Sequence, residues 1–459
     1  MGLDRINIDN QGASTPMNRT VSILIVAAAL ALSLPRTALA QPAPRPLSFA
    51  EVATAAAQNN LQLRAAAFDV AVAQAQFAQA RGGRLPQVAL SGTYTRSQEQ
   101  AGQTLSIPNP FGPTPPVITV MLPAPDPTVI VLRVGLQYPL YTGGRAESQI
   151  ALAEANLHGA KAVFERAAQQ IVFAAQQAYL QALLATENVI AAQGALEQAD
   201  ESLRVARARL QAGVAPDFDV LQAEVAVANA EQTMVRTRTS VRNAHAGLDA
   251  LLNLPLDTPL APTDTLEPRP VSGTLQTAIA RALSARPELA EVQARAAAAR
   301  ASIELAASGG RPNVAIGADY AVSGSASSLN GNWSATLAVT LSLFDGGITR
   351  ERIREAELRL RQLTTLEAER RQRIELEVRQ AWLALEQASA ELTAASRGVQ
   401  QAREAARIAG VRYQAGVGTS LEILSAQSTL AQAEFGLASA RFNQNLARIQ
   451  LFLAAGGSL

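Results

Sequence analysis

The 459-residue sequence contains no cysteine. Disulfide bonds, thiolate metal sites and a cysteine nucleophile are therefore excluded. Histidine occurs only twice, at His158 and His245, and neither lies near a nucleophile or a ligand cluster in the sequence. The Gly-Gly pairs of YTGGR and FDGGI lack the Lys-Ser/Thr partner of a phosphate-binding loop. We therefore predict that the chain is not an enzyme and has no catalytic, cofactor-binding or metal-binding residues.

An excess of charge of either sign is also missing. Lysine and arginine number 39 against 38 aspartates and glutamates, which gives a net charge of +1. Because nucleic-acid binders normally concentrate basic charge, we predict no nucleic-acid partner. Aromatic residues make up only 4% of the chain, whereas alanine is abundant. This composition favours helices that pack closely through small side chains.

The N-terminal region has the pattern of a secretory signal peptide. Arg19 precedes the apolar run VSILIVAAALALSLP, which the small residues Ala38 and Ala40 follow. We predict that residues 1–40 are an N-terminal extension with a signal peptide, cleaved after Ala40. A membrane anchor is the alternative, but the apolar run is shorter than the about 20 residues that a spanning helix needs. No later segment is a candidate for such a helix, so membrane insertion would have to use strands.

The rest of the sequence is written twice. RLQAGVAPDFDV and RYQAGVGTSLEI lie 203 residues apart, and so do LYTGGR and LFDGGI. A proline-rich linker at 255–272 divides the copies, and its prolines exclude a helix there. We therefore predict a first repeat at 41–254 and a second repeat at 273–459.

Each repeat contains a long helix, a tight turn and a second helix. The first repeat places these at 146–211, 212–217 and 218–252, and the second at 349–414, 415–420 and 421–454. Both long spans lack proline, and their apolar residues recur with a period of 3.5, which is typical of helices in a coiled coil. At a rise of 1.5 Å per residue, each long helix would measure about 100 Å.

Two strands in each repeat carry apolar side chains on one face and small or polar side chains on the other. These segments lie at about 87–96, 129–139, 313–323 and 333–343. Alternation over about ten residues is typical of membrane barrel strands. Four strands cannot close a barrel, and open strand edges are not tolerated in lipid, so several chains must pool their strands. A long proline-rich loop lies at 98–127.

The duplicated plan, the joins PLYTGG and LFDGG, and the AGV turns resemble the TolC-like outer membrane efflux proteins, also called outer membrane factors. The resemblance implies an α+β membrane protein in the bacterial outer membrane. Its fold would be a trimeric, 12-stranded transmembrane β-barrel, with four strands per chain, continued by a long periplasmic α-helical coiled-coil barrel. As an exit duct gated at its periplasmic tip, it would serve a tripartite efflux pump or type I secretion. The implied partners are two further copies, a periplasmic adaptor, an inner-membrane transporter and outer-membrane lipid.

The same resemblance implies roles for residues near the two turns. Glu422 would line a periplasmic constriction, with Ser425 one turn further on and Asp219 at the equivalent position of the first repeat. Tyr413 and Asp219 resemble a pair that links hairpins in the closed state. A second interpretation of Glu422 is that it only completes a capping box with Thr419. The segments expected to dock the adaptor are Gly213, Val214 and Ala215 in the first turn, and Gly416, Val417, Gly418 and Thr419 in the second. Their alternative is that they are tight turns and nothing more.

Several alternatives stay open on the sequence alone. A secreted coiled-coil structural protein without channel activity would also explain the long helices, with its strands binding a partner sheet. The loop at 98–127 is either a lid or a surface epitope, and either Met1 or Met17 is the true start. Nothing separates drug, metal and protein export, names the adaptor and transporter, or decides whether the resting duct is open or closed.

Overall fold

The computed structural model describes residues 45–99, 101–108, 110–112, 116–122, 124, 126–256, 258–269, 271–325 and 328–457. The expected signal peptide and its cleavage residues Ala38 and Ala40 lie outside the described residues. From Arg45 onward the described chain forms one unit. No helix in the described ranges has both the length and the apolar character needed to cross a membrane.

Two helical hairpins form the longest part of this unit. Helices α3 (Arg145–Gln211) and α7 (Ile348–Gln414) each have 67 residues, and α4 (Asp217–Leu251) and α8 (Ser420–Ala454) each have 35 residues. At 1.5 Å per residue, α3 and α7 are about 100 Å long. Helix α3 packs against α4, α7 packs against α8, and α3 also packs against α8, which joins the two hairpins.

Small side chains make this close packing possible. The buried face of α3 is dominated by alanine, including the fully buried Ala175 and Ala182. Alanine loses no side-chain entropy in a helix and lets neighbouring backbones approach. The exposed face of α7 instead carries ion pairs one turn apart, such as Arg359–Glu355 and Arg371–Glu367. Surface ion pairs one helical turn apart contribute only about 0.3–0.5 kcal/mol each.

Shorter helices surround the upper parts of α3 and α7. Helices α1 (Phe49–Asn59) and α2 (Leu61–Gly82) pack on α3, α5 (Leu275–Ala285) packs on α7, and α6 (Pro287–Ala307) packs on both. Strand β1 (Arg45–Leu47) pairs in parallel with β6 (Leu260–Pro262), which lies within the proline-rich linker. This pairing ties the start of the described chain to the segment that connects the repeats.

The main sheet has four antiparallel strands in the order β2-β5-β7-β8. These strands are β2 (Gln87–Arg96), β5 (Thr128–Tyr141), β7 (Asn313–Ser325) and β8 (Ser328–Thr340). Strand β8 therefore begins and ends earlier than the predicted 333–343. Its register with β7 runs from Ser325↔Ser328 to Asn313↔Thr340, so the pairing ends at the residue where β7 begins.

The two faces of this sheet differ in chemistry, as the alternation predicts. One row across the four strands consists of Leu90, Val134, Tyr320 and Trp333, and belongs to the face that we call the apolar face. The neighbouring row consists of Ala89, Gly135, Asp319 and Ser334, and belongs to the opposite, polar face. All four members of the apolar row are exposed within one chain.

The loop expected at 98–127 contains structure that the sequence analysis missed. Strands β3 (Gln103–Pro108) and β4 (Val117–Leu122) pair there as a separate antiparallel ribbon. The prolines that suggested a loop stand at or beyond the ends of these strands. Pro108 is the last residue of β3, a position where its missing N–H is tolerated.

Each strand-to-helix join uses two consecutive glycines with left-handed backbones. The φ angles are 65° and 88° at Gly143 and Gly144, and 68° and 87° at Gly346 and Gly347. Such angles strongly favour glycine because other residues are strained there. At the first join, a Cβ on Gly143 would lie only 2.8 Å from the Arg311 Cβ, so this backbone also fits tightly against its neighbour.

Both helices that follow the joins are capped by side chains at equivalent repeat positions. The Thr142 hydroxyl accepts from the Ala146 N–H at 3.0 Å. Its counterpart Asp345 accepts from the N–H groups of Gly347 at 2.9 Å and Thr349 at 2.8 Å. The two repeats therefore conserve the geometry of the join while using different capping residues.

Tyr179 anchors the core where α3 meets β1 and the linker. Its buried hydroxyl lies 2.9 Å from the Leu47 carbonyl oxygen and 3.1 Å from Asp264 Oδ2. Burial, reinforced by the Asp264 charge, raises the pKa of Tyr179 to about 12. Asp264 also accepts from the Phe49 N–H at 2.7 Å, so one tyrosine and one carboxylate connect β1, α1, α3 and the linker.

We predict that Tyr179→Phe lowers the free energy of unfolding by about 1–2 kcal/mol, because it removes a buried hydroxyl from a satisfied network. Chemical unfolding in detergent measures the change. Tyr94→Phe is the matched control, since Tyr94 is exposed on the sheet. Equal effects of the two substitutions would contradict the anchoring role.

Candidate functional site at the hairpin tips

The two helix-to-helix turns share one backbone design. Gly213 and Gly416 have φ angles of 70° and 81°. In the first turn, the Gly213 N–H donates to the Leu210 carbonyl at 2.9 Å and the Val214 N–H donates to the Arg209 carbonyl at 3.0 Å. The second turn repeats both bonds at equivalent positions. This pattern ends a helix by satisfying its last carbonyls around a left-handed glycine.

The residues expected to dock an adaptor lie on the surface of these turns. Gly213, Val214, Gly416, Val417 and Thr419 are exposed, and Ala215 and Gly418 are half-buried. The valines present apolar side chains to solvent at the end of each hairpin.

Gly418 packs directly on the end of α7. A Cβ at this position would lie 3.0 Å from the Tyr413 N and 3.1 Å from the Arg412 C. The second turn therefore fits its helix more tightly than the first, where a Cβ on Gly213 would meet nothing within 4 Å.

Glu422 has a different partner from the one expected. The Thr419 hydroxyl accepts from the Glu422 N–H at 3.2 Å, which is one half of a capping box. The other half is not formed: the Glu422 carboxylate faces Arg412, with Oε2 3.6 Å from Nε. The predicted capping box is thus only half correct, because the cation at the end of α7 competes for the carboxylate. Ser425 is exposed one turn further along α8.

The expected link between Tyr413 and Asp219 is not a hydrogen bond within the chain. Asp219 accepts from the Ser420 hydroxyl at 2.8 Å. Within the described residues, the buried Tyr413 hydroxyl has no hydrogen-bond partner. Burial, and next the charge of Asp219, raises the pKa of Tyr413. The acid therefore acts on the tyrosine through its field, while its direct bond goes to the start of α8.

Arg209 makes the cross-hairpin contact that the sequence analysis missed. Its guanidinium carbon lies 4.5 Å from the centroid of the Tyr413 ring, and its Nη1 donates to the Tyr413 carbonyl. The signal was present in the repeat, since an arginine precedes both AGV turns. The equivalent Arg412 stays within its own hairpin and pairs with Glu422. The same repeated residue therefore has two different uses.

Further along the helices, a polar pair continues the junction between hairpins. The Gln427 Nε2 donates to the Ser202 hydroxyl at 2.8 Å, which connects α8 to α3. Together with the Arg209–Tyr413 and Asp219–Ser420 contacts, it holds the turns of the two hairpins next to each other.

Comparison with known proteins decides the family. The family model described as "Outer membrane efflux protein" matches residues 52–254 and 278–457. The chain belongs to this family. Both repeats are covered, and the gap between the matches contains the proline-rich linker.

Individual relatives agree with this membership. The chain is 29% identical to the pyoverdine export outer membrane protein OpmQ of Pseudomonas putida over 289 residues, 61% of this chain and 60% of that protein. It is 28% identical to protein CyaE of Bordetella pertussis over 309 residues, 65% of this chain and 64% of that protein. The matched segments thus span about six tenths of these two relatives.

Solved structures share the fold of this outer membrane efflux protein. The outer membrane channel MtrE of Neisseria gonorrhoeae, solved in an open state, has a TM-score of 0.73 at 21% identity, with 89% of each chain covered. The membrane protein VceC of Vibrio cholerae has a TM-score of 0.72 at 20% identity, covering 89% of this chain and 96% of that chain. The predicted family and fold are confirmed, and membership of a family of outer-membrane channels confirms that the chain is not an enzyme.

We predict that Arg209→Met loosens the junction between hairpins, because it removes both the stacking on Tyr413 and the bond to its carbonyl. Amide hydrogen exchange across the segment around Tyr413 should then be faster. Arg412→Met is the matched control, since it removes the equivalent arginine from the pair with Glu422 and leaves the cross-hairpin contact intact. Similar exchange in the two variants would argue against a special role for Arg209.

Proposed function

We propose that this outer membrane efflux protein is the exit duct of a tripartite efflux pump or a type I secretion system. The observation that carries the proposal is the four-stranded sheet with one apolar face and one polar face. In a membrane barrel, the apolar face contacts lipid and the polar face lines the lumen. The exposed row from Leu90 to Trp333 fits the lipid side, where aromatic residues also favour the interface.

The sheet supports a closed assembly of several chains. Strands β2 and β8 are its two edges, and their outer N–H and C=O groups have no ladder partner in the described chain. Lipid cannot satisfy such groups, so an edge must pair with the opposite edge of a neighbour. Pairing β2 of one chain with β8 of the next is a head-to-tail contact that closes into a ring. Three chains with four strands each would form a barrel of 12 strands.

The helices support the same arrangement through the repeat. The contact between Ser202 on α3 and Gln427 on α8 joins two hairpins inside the chain. In the other repeat, the position equivalent to Ser202 is Ala405 on α7, and the position equivalent to Gln427 is Glu224 on α4. Apolar side chains flank both positions and are exposed: Leu221 at 59%, Val225 at 61% and Ile408 at 47%. These uncovered stripes have the place and the chemistry to form the equivalent junction between neighbouring chains.

The tip of the helical cylinder is the proposed gate and docking surface. Three copies would bring Glu422 together near the axis, each held by Arg412, with Ser425 one turn further on. Tyr413 and Asp219 would restrain the hairpins from the side, the former under Arg209 and the latter through Ser420. The apolar turns with Val214 and Val417 would receive the ends of a periplasmic adaptor, and an inner-membrane transporter would supply energy and cargo.

We predict that a cysteine pair at Ala405 and Glu224 cross-links neighbouring chains. The protein has no native cysteine, so a short bis-maleimide would report only the introduced thiols. Cross-linked dimers and trimers should appear on denaturing gels of protein extracted from outer membranes with detergent.

The control for this experiment pairs Ala405→Cys with Ala226→Cys. Ala226 lies on the other side of α4, facing α3 and α8 of its own chain. The coiled-coil structural protein would be favoured instead if both cysteine pairs gave only monomers on the gel. The protein would then also have a monomeric mass in detergent or be found in the soluble periplasm.

We predict that Glu422→Gln lowers the preference of the duct for cations over anions about threefold or more, because it removes the carboxylates from a narrow aperture and leaves the Arg412 guanidinium groups there without their partners. The zero-current potential in a salt gradient across a planar bilayer measures the change. Asp69→Asn removes the same charge from exposed α2, far along the chain from the tips, and should leave the potential unchanged. An unchanged potential for Glu422→Gln would leave this residue with capping and ion pairing alone.

A further inference from the structure

A single ion pair crosses the polar face of the sheet. Arg133 on β5 and Asp319 on β7 occupy diagonal positions, because Gly135 is the direct partner of Asp319 and Ala321 is the direct partner of Arg133. The Arg133 Nη2 lies 3.5 Å from the Asp319 Oδ2. The Ser334 hydroxyl on β8 donates to the other carboxylate oxygen at 3.0 Å. Both oxygens of Asp319 are therefore engaged, and three strands are connected.

These are the only two charged residues on the polar face of the four described strands. Following the alternation along each strand, the other positions on that face hold glycine, alanine, serine, threonine, valine, asparagine, glutamine and proline. The small residues Gly135, Gly317 and Ala321 around the pair leave it uncovered. The Arg133 side chain is 57% exposed and the Asp319 side chain is 27% exposed, so both reach the solvent on this side.

The paired charges largely cancel at a distance. A lone carboxylate in a narrow, low-dielectric passage attracts cations and repels anions over about one Debye length, roughly 10 Å at 0.1 M salt. An arginine held 3.5 Å from the carboxylate leaves a small dipole, whose field falls faster with distance. Three lone carboxylates at one level of a barrel would add their fields, whereas three balanced pairs would not.

We propose that Arg133 and Asp319 form a charge-balanced belt inside the barrel, which keeps this section of the duct open to cargo of either sign. This inference rests on the proposed function, since it needs the polar face to line a conducting lumen. It assigns to the pair a role in permeation beyond the cross-strand stabilisation that any opposite-charge pair supplies.

The test is the zero-current potential of the full-length trimer in bilayers, in a background of Arg412→Gln with Glu422→Gln that removes both charges of the ion pair at the tips. Salt near 0.1 M keeps screening weak, and we expect Arg133→Gln to raise the cation-to-anion permeability ratio about twofold or more. Asp319→Asn should lower the ratio by a similar factor. The exchanged pair, Arg133→Asp with Asp319→Arg, should return the ratio close to that of the background protein.

A purely structural role predicts a different pattern. Both single variants would then reduce trimer stability in the same direction, with no opposite shifts in permeability. Unchanged ratios in conducting channels would overturn the belt and leave the proposed duct intact. A monomeric mass in detergent would instead overturn the proposed function, and the belt with it.

Thiol labelling supplies an independent readout. Arg133→Cys should react with a charged, membrane-impermeant methanethiosulfonate added to the aqueous phase, and the unitary current should fall. Leu132→Cys is the matched control, since the side chain of Leu132 lies on the apolar face next to Arg133 and should be protected by lipid. Protection of position 133 and reaction at position 132 would reverse the assignment of the two faces and overturn the belt.

Discussion

The alanine-mediated packing of α3 is the interaction on which the rest of the chain depends. Five other helices, α1, α2, α4, α6 and α8, pack against this one. Its buried positions are filled mainly by alanine, so neighbouring backbones approach closely over its whole length. One exception is Tyr179, whose hydroxyl holds β1 and the linker against the helix. Close packing by small residues gives the long helix lateral support that helical propensity alone does not provide.

Duplication explains the architecture, and departures from it mark the specialised sites. The joins and turns keep the same left-handed glycines in both copies. Leu210 in the first copy, however, is replaced by Tyr413 in the second, and Arg209 of the first copy stacks on that ring. One hairpin has therefore gained a contact that the other lacks. The asymmetry lies at the tips, where a gate would need two kinds of contact, one inside the chain and one between chains.

Much of the fold follows from local rules in the sequence. The period of 3.5 in the helices, the alternation in the strands and the glycines at the turns each have a single physical cause, and the structure has the corresponding elements. The ribbon β3–β4 was missed because its prolines dominate a short segment and mask the alternation between them. The end of β8 was misplaced because it depends on where the partner strand β7 begins, which no local rule can include.

Side-chain partners at the site were harder to predict than the site itself. The family resemblance suggested Glu422, Asp219 and Tyr413 as a group near the turns, but it did not predict their bonds. Arg412 takes the Glu422 carboxylate and Ser420 takes Asp219, because these partners are nearer in the folded chain. Choices of this kind depend on angstrom-scale competition among several donors. A sequence shows which donors exist, and the packed backbone determines which of them lies within hydrogen-bonding distance of the acceptor.

The two long helices are also mechanical levers. When a helix about 100 Å long tilts by about 1° at one end, its other end moves by nearly 2 Å. A displacement of that size is enough to break a hydrogen bond. Contacts such as the one between Asp219 and Ser420 are therefore kept only if the long helices tilt very little at the joins between strand and helix. The tight fit of Gly143 against Arg311 limits that tilt in the first repeat. The fit at this glycine constrains the start of α3, and the packing of its neighbours carries that constraint to the turn about 100 Å away.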